Sequence, residues 1–179
     1  MTSRSISALN LLFPDQTSGD ISPQDDRDLI ATFTPGYAQM FISSSAPTTI
    51  AVATTFVKAA GTTTLTTDPT ALNWTMPTDN RLAYGGTPDR VVMVTCAISL
   101  QAVGTNVDLK WRLAKTGTTI ADTEITRKVV VASENGAAAI SGLVEMSNGD
   151  YLELWTANDT DTTNLTVTNM VMSVMDFPT

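Results

Sequence analysis

The sequence predicts an all-β protein, a sandwich or barrel of antiparallel strands behind a short N-terminal arm. Three observations predict it. Alternation is clean from Asn106 to Ala114: Val107, Leu109, Trp111 and Leu113 fall on one face, and Asn106, Asp108, Lys110 and Arg112 on the other. Beyond Gly36, strand-like runs are broken by turn signals about every 8–12 residues. Threonine makes up about one residue in six, and its branched, half-polar side chain suits a pleated surface with one wet face.

Residues 1–35 form the arm and 36–179 the main domain. Within the arm, Leu9, Leu11, Leu12 and Phe13 stop at Pro14. Ser22 is a good N-cap and Pro23 suits the first helical position. Asp25 and Asp26 complement the dipole of the first turn, while Leu29, Ile30 and Phe33 make one apolar stripe. This predicts a helix over about 23–33, too short to hold alone, so its stripe must pack on something. Tyr37–Ile42 and Thr49–Val57 then read as strands, and 59–79 as short strands and loops. Arg90–Leu100 is a nearly continuous apolar run. Lys115-Thr116-Gly117 is a turn, Glu124–Val131 a strand, and Asn135-Gly136 and Asn148-Gly149 are hairpin signals bounding Ala137–Met146. Tyr151–Ala157 and Leu165–Phe177 complete the strands.

The last strand carries a conflict. Val171, Met175 and Phe177 share one face, while Met170, Met172 and Val174 share the other, so both are apolar. Only one can meet the sandwich core, and the other needs a second cover. Tyr151 and Trp155 alternate with Leu152 and Leu154 in the same way. The leucines are assigned to the core and the aromatics to a contact outside it.

Composition excludes several functions. The chain has 18 acidic and 10 basic residues, a net charge of −8 and no basic block, so a nucleic-acid partner is not expected. No run approaches ~20 apolar residues, so no membrane-spanning helix is expected. No apolar segment of signal-peptide length follows Arg4. With one cysteine, Cys96, no internal disulfide exists. Cys96 lies in an apolar strand and reads as a buried structural thiol. The absence of histidine removes imidazole-based triads and metal sites. Asp25, Asp26 and Asp28 read as dipole-complementing residues rather than an acid/base pair.

The loop Asn158–Asn164 offers hard oxygens of the kind calcium takes, without the glycine or distal glutamate of the helix-loop-helix pattern, and reads as a solvated loop. Glycosylation patterns occur at Asn73, Asn158 and Asn164. Trp74, Trp111 and Trp155 could stack on sugars. Trp111 sits on the apolar face of its strand, Trp74 is the one in a loop-like region, and burial is the better reading for them. No catalytic residues and no cofactor are expected.

Three segments taken together resemble a known family: Arg81–Arg90 with its Tyr84-Gly85-Gly86-Thr87-Pro88 run, the turn Ala114-Lys115-Thr116-Gly117, and Asn148–Trp155 followed by Asn164–Thr168. In this order, over roughly residues 80–177, they resemble the C-terminal domains of tailed-phage fibre and head-decoration proteins. The resemblance implies an antiparallel two-sheet jelly roll of the tumour-necrosis-factor-like or C1q-like kind, a homotrimer, and a place in the virion. In that family the neighbouring strands line the threefold axis, which implies an interface at Tyr151, Trp155, Val171, Met175 and Phe177.

The function expected first is that of a trimeric capsid decoration (cement) or head-fibre protein. Its arm would dock on the major capsid protein or another virion protein through Leu11, Leu12, Phe13, Leu29, Ile30 and Phe33. The alternative is a tail-fibre tip or receptor-binding protein, with a host-surface glycan or protein held by loops around Trp74 or Asp159. A polysaccharide-cleaving enzyme would need a pair of carboxylates, and the sequence brings none together.

Overall fold

The computed structural model describes residues 35–66, 73–87 and 89–177. The helix expected over 23–33, and the docking residues Leu11, Leu12, Phe13, Leu29, Ile30 and Phe33, lie outside the described residues.

The strands are β1 (Tyr37–Ser45), β2 (Pro47–Thr48), β3 (Val57–Lys58), β4 (Gly61–Leu65), β5 (Trp74–Thr78), β6 (Arg81–Tyr84), β7 (Arg90–Ala102), β8 (Val107–Lys115), β9 (Thr118–Thr119), β10 (Ile125–Val129), β11 (Asn135–Met146), β12 (Tyr151–Asn158) and β13 (Leu165–Phe177). One 3-10 turn, Ala121–Thr123, interrupts them. They form two antiparallel sheets. Sheet one runs β11-β7-β13-β1-β4, with β2 on β13. Sheet two runs β10-β8-β12-β6-β5, with β3 on β12 and β9 on β8. From β10 onward the chain alternates between the sheets, the wrapping of a jelly roll.

The core lies between the sheets. Sheet one contributes Met40, Val92, Val94, Leu100, Met170 and Met172, and sheet two contributes Leu82, Leu109, Trp111, Leu113, Leu152 and Leu154. Burying each such side chain stabilises the fold by about 1.5–3 kcal/mol. The apolar run of β7 resolves into strict alternation. Val92, Val94, Cys96, Ile98 and Leu100 point inward, while Met93, Thr95 and Ala97 point out. Cys96 is buried as expected, and burial pushes its thiol up to about 12.

Three expectations about local structure are corrected. Thr49–Val57 is not a strand, because this stretch carries the chain from β2 in sheet one to β3 in sheet two and cannot pair along one neighbour. Thr54 turns it with φ 67 and donates its amide to the Asn158 carbonyl at 2.8 Å. Asn135-Gly136 is not a hairpin turn either. The turn comes earlier, at Ser133 with φ 62, and it joins strands of different sheets. Gly136 sits inside β11, where a Cβ would stand 2.7 Å from Arg127 Nε and 3.2 Å from the Leu100 side chain. Asn148-Gly149 is a turn, with Gly149 at φ 88 and the Asp150 amide on the Ser147 carbonyl at 3.0 Å. It too crosses between sheets, since β11 pairs with β7 and β12 with β8.

The Tyr84-Gly85-Gly86 segment is held closely. Tyr84 is buried, and a Cβ on Gly86 would stand 2.1 Å from its hydroxyl, so only glycine fits there.

Candidate interface on the outer face of sheet one

Strand register sets the outward side chains of β11, β7, β13 and β1 in rows. From the end where the chain enters, the rows read Glu145–Val91–Phe177, Leu143–Met93–Met175–Tyr37, Ser141–Thr95–Ser173–Gln39, Ala139–Ala97–Val171–Phe41, and Ala137–Ser99–Asn169. Glu145, on the edge strand, is the charged residue in these rows. The conflict in the last strand is thereby resolved. Met170, Met172 and Val174 face the core, while Val171, Met175 and Phe177 face out, at 39%, 51% and 42% exposure. Tyr37, Met93 and Leu143 extend the apolar area. Between Tyr37, Met93 and Met175 the surface sinks into a groove of about 480 Å³, bordered by Gln39, Thr66 and Ser173.

The outer face of sheet two has the opposite character. Glu153 is buried there among cations: Arg81 Nη2 lies 3.0 Å and Lys58 Nζ 3.8 Å from its Oε1, and Trp155 Nε1 donates to Oε2 at 2.9 Å. The Arg81 guanidinium lies over the Tyr151 ring at 3.9 Å, and that of Arg112 over Phe56 at 4.4 Å. Arg112 pairs with Glu124, Lys110 with Asp159 at 3.0 Å, and Lys115 with Asp150 at 2.9 Å. The leucines Leu152 and Leu154 are core, as expected. Tyr151 and Trp155 lie outside the core, half-buried under side chains of their own chain. The five residues singled out as an interface therefore do not share one surface: Val171, Met175 and Phe177 are on sheet one, Tyr151 and Trp155 on sheet two. Glu153 escaped sequence reading because a lone glutamate in a strand reads as solvated. The basic residues that cover it come from positions 58 and 81.

Replacing Glu153 with alanine removes the acceptor shared by Arg81, Lys58 and the Trp155 indole. Both cations keep access to water, so the expected loss is about 1–2 kcal/mol rather than the larger cost of a fully buried orphan charge. Urea unfolding measures it, with Glu153→Gln expected to retain part of the stability.

The remaining candidates are occupied by structural duties. Trp74 is buried against Tyr84, with ring centroids 5.2 Å apart, and Trp111 is fully buried. In the 158–164 loop, Asn158 Oδ1 accepts the amides of Thr160 and Asp161, and its Nδ2 donates to Asp161 Oδ1 and to the Thr163 carbonyl. Bonds from Thr163 and Asn158 hold the Asp161 carboxyl below the usual carboxylate range. Among the described residues no group of three or more Cys, Asp or Glu is placed to hold a metal ion. Asn158 is buried and Asn164 Oδ1 accepts the Ile50 amide.

At the base, both ends of the described chain meet. The buried Asp176 accepts the Gly36 amide on Oδ1 at 2.6 Å, and its own amide donates to the Gly36 carbonyl at 2.9 Å. Burial pushes the Asp176 carboxyl above the usual range. The Gly36 amide and the charge of Arg90 oppose that shift without cancelling it. The folded state thus favours protonated Asp176. Its stabilising contribution is full below the unfolded-state value and is lost as pH rises through the raised folded value. Relative to Asp176→Asn, the wild-type protein is expected to gain stability as pH falls from neutral through that window, measured by urea unfolding at a series of pH values.

No family model and no curated protein sequence matches the chain. Solved structures do resemble it. The Eiger TNF of S. frugiperda superposes with TM-score 0.50 at 12% identity, over 80% of this chain and 92% of that one. Murine APRIL at pH 5.0 superposes with TM-score 0.52 at 5% identity, over 79% and 99%. The PRD1 vertex protein P5 is more distant, with TM-score 0.47 at 11% identity over 80% and 96%, a likeness that says nothing about function. At such identities the first two establish the fold: a tumour-necrosis-factor-like jelly roll.

Proposed function

We propose that this jelly roll is a non-enzymatic structural protein of a tailed-phage particle, a homotrimeric capsid decoration or head-fibre protein docked through residues 1–35. The observation that carries the oligomeric part is the contrast between the two outer faces. Sheet two covers its aromatics with ion pairs, while sheet one leaves Tyr37, Met93, Leu143, Val171, Met175 and Phe177 exposed in nearly uncharged rows. A contiguous apolar face of that kind marks an interaction surface. A second copy of the chain supplies a partner of the same character, and Val171, Met175 and Phe177 form the centre of the proposed contact. Tyr151 and Trp155, on the opposite face, stand apart from it.

The virion part is supported by the resemblance of the segments at 81–90, 114–117 and 148–168 to phage fibre and decoration domains. Gly36, next to the proposed docking arm, is held to Asp176 near the end of the last strand. A receptor-binding role through Trp74 loses its motivation, because that side chain is core. Two measurements test the reading. Sedimentation should give three times the 19.0 kDa chain mass, and gold label on the tagged protein should decorate phage heads. A monomer would refute the trimer, and label confined to tail appendages would favour the tail-tip alternative.

A further inference from the structure

We infer that a polar cleft of about 610 Å³ at the Asn169 end of sheet one binds an acidic sugar, its carboxylate on Arg127 and its hydroxyls on Gln101, Asn135 and Asn169. Arg127 comes from the other sheet. It stands on β10 opposite Leu109, half-buried, between the exposed Thr126 and Lys128. Its side chain passes Gly136 of β11, where a Cβ would stand 2.7 Å from Nε. Glycine at 136 thus leaves the guanidinium room to reach the Ala137 carbonyl, to which Nη1 donates at 3.1 Å. Of its five N–H groups, this is the one with a hydrogen-bond partner among the described residues, and Nε is buried without an acceptor. No carboxylate among the described residues pairs with Arg127, whereas Lys58, Arg81, Lys110, Arg112 and Lys115 each have one. A guanidinium with free donors and no counter-charge is a carboxylate receptor.

The rest of the wall is uncharged, built of amides and hydroxyls around Gly136 and Ala137. Gln101 Nε2 donates to Asn135 Oδ1 at 2.6 Å. That bond fixes both side chains and leaves the Asn135 amino group and the Gln101 carbonyl to serve a ligand. The register of β13 shifts between Val167 and Asn169, which brings Thr168 and Asn169 together to the cleft. A sugar hydroxyl both donates and accepts, and this wall offers both beside one cation. A peptide anchor needs an apolar socket, and no large apolar side chain lines the cleft. The site uses neither Trp74 nor Asp159. Every lining residue belongs to one chain, so it does not require the proposed trimer.

Amide NMR spectra of the isotope-labelled full-length protein test this, with glucuronate and N-acetylneuraminate as probes. Glucose, acetate and triglutamate are the controls, all at one ionic strength. At least one acidic sugar should shift the amides of Ser99, Gln101, Asn135 and Asn169 saturably, and bind more tightly than every control. Arg127→Gln should weaken that binding at least about tenfold, and Arg127→Lys, which keeps the charge without the fork, should retain part of it. Asn169→Ala removes an exposed side chain and should weaken the sugar while leaving acetate unchanged. Acetate binding as tightly as the acidic sugars would reduce the site to an anion subsite and overturn the inference. Glucose binding as tightly would remove Arg127 from the site and overturn it too. Tighter binding of triglutamate would overturn it in favour of an acidic peptide, and the absence of a saturable shift with either acidic sugar would end it.

Discussion

Met175→Asp is expected to leave the sandwich folded and to dissolve the assembly. In the single chain this side chain is half in water, so the substitution should change the stability of the fold by no more than about 0.5 kcal/mol. In the assembled state the carboxylate would be buried without a cation, since the rows around it hold none. An unpaired buried charge costs several kcal/mol, and about 3 kcal/mol already weakens association roughly a hundredfold. Sedimentation at micromolar concentration should therefore show free chains, while the circular dichroism spectrum stays that of a sheet protein. Met172→Asp, three residues away on the same strand, gives the contrast. Met172 is fully buried in the core, so its substitution should cost more than about 4 kcal/mol and unfold the protein. Met175→Asp protein that still sediments as the wild type would show that this face does not hold the copies together.

Asn80→Ala is expected to be among the most damaging substitutions that touch no apolar core residue. Asn80 is buried, with φ 50, between β5 and β6. Its Nδ2 donates to the Ala59 carbonyl at 3.0 Å and the Leu154 carbonyl at 2.9 Å, and its Oδ1 accepts the Leu154 amide at 3.1 Å. One side chain thus ties the approach to β4 and the middle of β12 to the β5–β6 turn. Alanine would leave the Ala59 carbonyl and the Leu154 amide short of a partner, the Leu154 carbonyl keeping the Ala59 amide at 3.0 Å, and would place a less tolerant residue in the left-handed region. At about 1–3 kcal/mol for each unsatisfied buried group, a total loss of roughly 3–5 kcal/mol is expected. Asn80→Asp should do no better, because a carboxylate cannot donate to the two carbonyls. Chemical denaturation measures both. A loss under ~1 kcal/mol for Asn80→Ala would mean that water replaces the side chain there.

The sequence by itself determined the class of fold, because period-two alternation is a local property of the chain. Val107–Leu113 reads directly as a half-buried strand, and Cys96, Trp111, Leu152 and Leu154 read correctly as core. It also determined that the last strand is apolar on both faces, and hence that a second surface must exist. The tertiary structure decided which face is which, since only the pairing of β13 with β7 and β1 fixes the side that meets sheet two. It decided, too, that Asn135-Gly136 opens β11 after a crossing that turns at Ser133, and that Asn148-Gly149 lies on a crossing between sheets. A turn dipeptide encodes a local bend and carries no record of which distant strand its neighbours will pair with. Tyr151 and Trp155 were set beside Val171 and Met175 because all fell outside the expected core and the resembled family lines its threefold axis with these strands. Their separation onto opposite faces, with Arg81 lying over Tyr151 and both Arg81 and Lys58 paired to Glu153, comes from contacts seventy or more residues apart in the chain, which no local pattern contains.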